Sequence, residues 1–205
     1  MTTSIQQVWF ENPKQGQKVR FITLPAETGG RGFTLEYVYR PFTGESAVPA
    51  HIHTAATETF DILSGEAKYR VGKKEGSARK GDRIVLPAGV AHVHPWSVSA
   101  DELHVRQIAE VEQPDSAGLV ASLQAAVTLF GLATAGKVNE KGLPNLLQLA
   151  VLIRSTMPAT YIGGIPIAVQ RTLFGGLARV GEALGYRTAY PAYGILTEAG
   201  LQAAR

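Results

Sequence analysis

Up to about residue 112, apolar and polar side chains alternate in short runs, and beyond it apolar residues recur every three or four positions. The change of period predicts two kinds of structure, because side chains two apart share a strand face and side chains three or four apart share a helix face. KVRFITL, FTLEYVYR, ETFDIL, AKYRV, DRIVLP and ELHVRQI are rich in β-branched and aromatic residues and lie between Gly, Pro and Asn turn signals; each is predicted as a strand. In FTLEYVYR, Phe33, Leu35, Tyr37 and Tyr39 make one face, expected to pack in the core or to line a pocket. Short strands at regular spacing imply a sandwich or barrel.

The second part reads as three helices. Asp115 or Ser116 can cap the first, which carries Leu119, Leu123, Val127 and Phe130 before Gly136. The second opens near Pro144, runs through NLLQLAVLIRST and stops before Pro158. The third starts at about Pro166, places Leu173, Leu177, Val180 and Leu184 on one stripe and ends at Gly185. ATYIGGIP, between the last two, reads as a loop. The fold expected is therefore mainly β, a barrel over residues 1–114, with an α-helical extension over 115–205.

Charge separates the same two regions. Residues 1–115 hold 13 basic and 14 acidic side chains and residues 116–205 hold 7 and 3, within totals of 20 and 17. Residues 116–136 carry no charge, a length that would span a bilayer, but Ser122, Gln124, Thr128, Thr134 and several glycines make the segment poorly hydrophobic. Packing on the barrel or on a partner chain is expected, with peripheral membrane contact or an apolar ligand groove as alternatives. The glycine pairs at 163–164 and 175–176 suit close backbone approach or a hinge and lack the context of a phosphate loop. Net charge is +3 and the basic residues are scattered; Lys73, Lys74, Arg79, Lys80 and Arg83 read as a solvated loop, and no nucleic-acid partner is expected. Cysteine is absent, which excludes a disulfide framework, a thiolate metal site and a cysteine nucleophile. MTTSIQQVWFENPKQG has neither a basic start nor a continuous apolar run, so a cytoplasmic location is expected.

The chemistry is concentrated in the histidines. Four of the five fall in two short segments, His51 and His53 in HIHTAATETFDILSG, and His92 and His94 in GDRIVLPAGVAHVHPW. His51 and His53 share a strand face, and Glu58, after four intervening residues, can start the next strand with its carboxylate turned back to the imidazoles. Gly81, Pro87, Gly89 and His92 read as a turn, a strand, a corner and a second strand, which lets His92 face the first pair across a barrel. Three imidazoles and one carboxylate suit divalent iron, manganese, nickel, copper, cobalt or zinc, suit calcium poorly, and leave positions open for substrate or water. His94 shares the inward side with His92 and could be a donor behind the ligands, a proton shuttle or an alternative ligand. The alternation around His104 does not fix its face, and a structural role is taken for it.

These segments, over about residues 44–96, resemble the two signature motifs of the cupin superfamily: His51, His53, Glu58 and Gly65, then Gly81, Pro87, Gly89 and His92. The resemblance implies a double-stranded β-helix, or jelly-roll, barrel with His51, His53, Glu58 and His92 as metal ligands. Two positions depart from the motifs: the leading glycine stands one place early, at Gly44, and Trp96 replaces the Asn often found at the end of the second, which would make the pocket mouth more apolar. The function implied is a metal-dependent oxygenase of dioxygenase type acting on a small hydrophobic molecule, with His94 as the catalytic proton-transfer group. The alternatives are a non-catalytic metal-binding or small-ligand-binding barrel and a metal-dependent isomerase or lyase. A homodimer is expected, as is common in the family.

Overall fold

Strand alternation closes two sheets over one interior. The computed structural model describes residues 8–41, 49–197 and 200–202. Ten strands come first: β1 (Phe10–Asn12), β2 (Gln17–Thr23), β3 (Gly32–Tyr39), β4 (His51–His53), β5 (Ala56–Ser64), β6 (Glu66–Val71), β7 (Lys74–Arg79), β8 (Arg83–Leu86), β9 (His92–Ser97) and β10 (Leu103–Val111). Helix α1 (Ser116–Thr134), helix α2 (Leu146–Thr156), β11 (Thr160–Ile162), helix α3 (Ile167–Ala183), β12 (Ile195–Thr197) and β13 (Gly200–Gln202) follow. One sheet runs β1-β2-β3-β10-β5-β8 and the other β11-β4-β9-β6-β7, with antiparallel pairing throughout. This is a jelly-roll barrel with a helical extension.

Inward residues of the first sheet form the core. Val19, Phe21, Leu35, Phe60, Ile62, Leu103 and Val105 are at most 2% exposed, and Leu119, Leu123, Val127 and Phe130 of α1 join the same cluster. The stripe predicted for the first helix therefore packs on the barrel, so this charge-free helix, long and apolar enough to cross a membrane, has half of that span buried in the protein. Asp115 caps it by accepting from the Gly118 N–H, and Asn145 caps α2 by accepting from Leu147 and Gln148. The motif glycine Gly65 has a steric reason. It turns β5 into β6 at φ 82°, and a Cβ there would lie 2.6 Å from the Glu102 carbonyl oxygen.

Three expectations are corrected. ATYIGGIP is not all loop: its Thr160–Ile162 pairs with β4 as Thr160↔His53, Tyr161↔Ile52 and Ile162↔His51. The basic segment around Lys73–Arg83 includes strand β7, paired with β6; its basic side chains are exposed, and Lys68 meets Glu75 at 2.8 Å across the pair. On α3 the stripe read from the sequence faces outward, so it does not meet the barrel. Leu173, Val180 and Leu184 are 49–67% exposed, while Gln170, Phe174, Ala178 and Gly181 are buried. The small residues decide the face, because they let α2 come close: a Cβ on Gly181 would be 3.0 Å from the Leu147 carbonyl oxygen and from Val151 Cγ2.

Candidate metal centre

The two histidine segments meet where β4 pairs with β9 through His51↔His92. The Gly89 N–H donates to the His53 carbonyl at 2.8 Å, so the corner of the second segment is fastened to the strand of the first. Glu58 enters from β5 in the facing sheet. Among the described residues, His51, His53, Glu58, His92 and His94 each offer one donor atom, and these atoms lie within 4.8 Å of one another. Gly44 lies outside the described residues.

The separations fit one ion. Two donors each about 2.1 Å from a metal are about 3.0 Å apart at a right angle and about 3.4 Å apart at a tetrahedral angle. Glu58 Oε2 is 2.8 Å from His94 Nε2 and 3.2 Å from His92 Nε2, Glu58 Oε1 is 3.4 Å from His53 Nε2, and His51 Nε2 is 3.0 Å from His94 Nε2. His94 thus stands among the other four donors, not behind them.

The opposite ring nitrogens sort the histidines. His51 Nδ1 lies 3.1 Å from the Pro49 carbonyl, His92 Nδ1 2.9 Å from the Val90 carbonyl and His53 Nδ1 3.0 Å from Thr160 Oγ1. A carbonyl can only accept, so in His51 and His92 the proton sits on Nδ1 and the Nε2 lone pair is left facing the centre. Nε2 of His53 and of His92 is buried without a hydrogen-bond partner. A buried lone pair with no donor is costly, and a divalent ion is a group that would satisfy several at once. Both polar contacts of His94, by contrast, run through Nε2.

Electrostatics favours the ligand forms. Burial pushes the His51 imidazolium well below its ordinary pKa, and the nearby His94 and His53 add to this; burial also lowers His53, against the pull of Glu58. Burial would raise the Glu58 carboxyl, but His94 and His53 hold it well below the usual range. The carboxylate is fixed by Gln107, whose Nε2 donates to Oε1 at 2.5 Å.

Gln107 and Thr160 are the residues that sequence reasoning missed. Gln107 had a signal, since it is the polar position on the buried apolar side of β10, between Val105 and Ala109. Thr160 had none. The aromatic ring against the imidazoles is Phe60, 4.9 Å from His94, and the replaced motif position Trp96 is 7% exposed. Tyr37 and Tyr39 stack at 6.0 Å; burial raises both, and the Glu58 charge contributes, as expected for rings sharing its interior. His104 is on the other face, 3.7 Å from Glu36.

Residues 42–105 match the family model described as "Cupin domain", a stretch containing all five donors. No curated protein sequence matches. Among solved structures, the chain is similar to a predicted oxalate decarboxylase from Thermotoga maritima, at 18% identity over 46% of this chain and 80% of that one, TM-score 0.43. It is also similar to the Schizosaccharomyces pombe Cnp3 cupin domain, at 13% identity over 54% and 69%, TM-score 0.42. A third is the polyketide cyclase RemF from Streptomyces resistomycificus, at 19% identity over 49% and 69%, TM-score 0.39.

Proposed function

With residues 42–105 forming a cupin domain whose imidazoles converge on a buried carboxylate, we propose that the protein is a metal-dependent oxygenase of dioxygenase type, acting on a small hydrophobic organic molecule. The observation that carries the metal reading is the pair of Nε2 lone pairs of His51 and His92 turned to the centre with the opposite nitrogens tied to carbonyls, in a group whose five donor atoms lie within 4.8 Å of one another. His51, His53, His92 and Glu58 would hold the ion. When bound, a redox-active iron, manganese or copper would bring dioxygen and a bidentate substrate together and exchange electrons with them.

The rest is done by the chain. Gln107 keeps Glu58 Oε1 oriented, and the Phe60 ring, 4.9 Å from His94, puts an apolar surface beside the centre that suits a hydrophobic substrate better than a sugar phosphate. His94, whose Nδ1 has no carbonyl holding it, carries a proton on Nε2 beside Glu58 and exchanges it with substrate. The test is oxygen uptake by iron-, manganese- or copper-loaded protein offered small hydrophobic molecules with two adjacent oxygen donors. Uptake that needs both metal and substrate, retained metal but at least tenfold slower uptake in His94→Gln, is the expected result. Native zinc or nickel would redirect the assignment to Lewis-acid lyase or isomerase chemistry, and bound metal without turnover to a binding protein.

A further inference from the structure

The hydroxyl behind His53, Thr160 Oγ1 at 3.0 Å from Nδ1, comes from the C-terminal extension, 107 residues along the chain. Strand β4 is three residues long and meets β9 at a single described pair, so its other edge would be open. β11 closes it with three register pairs, flanked by Thr54 N–H to the Ala159 carbonyl at 2.8 Å and Gly163 N–H to the Ala50 carbonyl at 2.6 Å. α3 holds β11 in turn. Gln170, fully buried, accepts from the Ile162 N–H at 2.9 Å and donates to the Ile162 and Ile165 carbonyls at 2.8 and 2.7 Å, while Arg171 Nε donates to the Tyr161 hydroxyl at 2.9 Å.

We propose that the extension is part of the metal centre, with Thr160 as the positioning residue that fixes His53. An Nδ1–H donated to Thr160 Oγ1 keeps the proton off the buried Nε2, which then faces the ion as a lone pair. This rests on the reading that the centre binds metal. Linkage makes the effect reciprocal: whatever the docked strand adds to metal affinity, bound metal adds to docking.

The test uses the full chain and Co²⁺ as probe, with affinity read by titration and the His53 tautomer by imidazole nitrogen shifts of the metal-free protein. Thr160→Val should weaken Co²⁺ about 10–100-fold, the usual cost of removing a partner behind a metal-bound histidine, and shift the His53 proton away from Nδ1. Thr160→Ser should restore both, which a purely structural role does not require. Gln170→Met, remote from the imidazoles, should weaken Co²⁺ severalfold, and Co²⁺ should slow amide exchange at Tyr161 and Ile162 in the wild type. Wild-type Co²⁺ binding with unchanged affinity and tautomer in Thr160→Val overturns the inference alone. No Co²⁺ binding by the wild type overturns the metal reading and this inference with it.

A second inference rests on a separate observation, the outward face of α3. Its exposed apolar positions Val169, Leu173, Val180 and Leu184 are spaced four, seven and four residues apart, which is the same read in either direction. The midpoint is Gly176 and Leu177, and a Cβ on Gly176 would meet nothing within 4 Å, leaving room for a second backbone. A two-fold interface brings residue i to j and j to i, so an antiparallel copy would set Leu173 on Val180 and Val169 on Leu184. Two such faces would cover apolar side chains that are otherwise 49–67% exposed. We infer that α3 pairs with α3 of a second copy. The chain lacks cysteine, so Leu173→Cys/Val180→Cys should cross-link to a dimer on oxidation and Leu173→Cys alone should not. Sedimentation should give a dimer for the wild type and a monomer for Leu173→Glu. A wild-type monomer at all concentrations overturns the pairing, whether or not it binds vesicles of anionic lipid, as does a dimer that Leu173→Glu leaves intact.

Discussion

Two glutamates stand on opposite faces of the six-stranded sheet, Glu36 outward and Glu58 inward, 4% and 2% exposed. Both carboxyls are held below their ordinary range against the effect of burial, but by different neighbours. Glu36 is ringed by guanidinium groups: Arg20 Nε donates to Oε2 at 2.9 Å and Arg106 to Oε1 at 2.8 Å. These donors are always charged and have no lone pair to offer an ion, although Arg106 Nε and, beside the cluster, His104 Nε2 are buried without a hydrogen-bond partner. Glu58 is ringed by imidazoles, of which His51 and His92, with Nδ1 against a carbonyl, point an Nε2 lone pair inward; Nε2 of His53 and of His92 has no hydrogen-bond partner. Burying a carboxylate is solved the same way neither time. The outer carboxylate is neutralised by fixed cations, whereas the inner one sits in a donor set that could hold an ion.

The largest expected difference comes from removing each carboxylate. Glu58→Ala should lower Co²⁺ affinity by about 100-fold or more, since it takes away a ligand, whereas Glu36→Ala should leave it within threefold and instead cost about 1–3 kcal/mol of stability by denaturant unfolding, because the Arg partners remain solvated. Metal should then stabilise the fold by about 2.7 kcal/mol at 100 times its dissociation constant; Glu36→Ala should keep this increment in a thermal melt, and His51→Ala/His92→Ala should lose it. Gln107→Leu should cost about tenfold in Co²⁺ affinity, by freeing Glu58 Oε1.

A further difference is a slope with pH. His51 and His53 are depressed on folding, so the unfolded chain binds protons first and stability falls as pH drops from about 6.5, by about 1.4 kcal/mol per unit per proton taken up. The lowered Glu36 and Glu58 give a further loss only below about 4.5. His51→Ala should flatten the metal-free profile between those values, and Arg106→Met should alter it only on the acid side of 4.5.

The same contrast explains what the sequence made legible. Strand and helix periods were readable where apolar residues hold one face, as in FTLEYVYR and in the Leu119–Phe130 stripe, and the five residues that converge, His51, His53, Glu58, His92 and His94, were readable because they fall in two short segments. KEGSAR carries no apolar alternation because β7 is exposed on nearly all its side chains. Thr160–Ile162 is too short to show a period, and its strand character comes from pairing with β4. The outward stripe of α3 has the stronger apolar side chains, but the packed face is chosen by Ala178 and Gly181, which allow α2 closer. The Glu36 cluster brings Arg20 from β2 and His104 and Arg106 from β10 to Glu36 on β3, through a register that no local pattern encodes.

The most direct measurement is elemental analysis of protein purified without chelators or an affinity tag, beside His51→Ala/His92→Ala. The account predicts close to one equivalent of a divalent transition metal, iron, manganese or copper foremost, in the native protein and its loss in the variant. No metal in either sample, or equal metal in both, would contradict it.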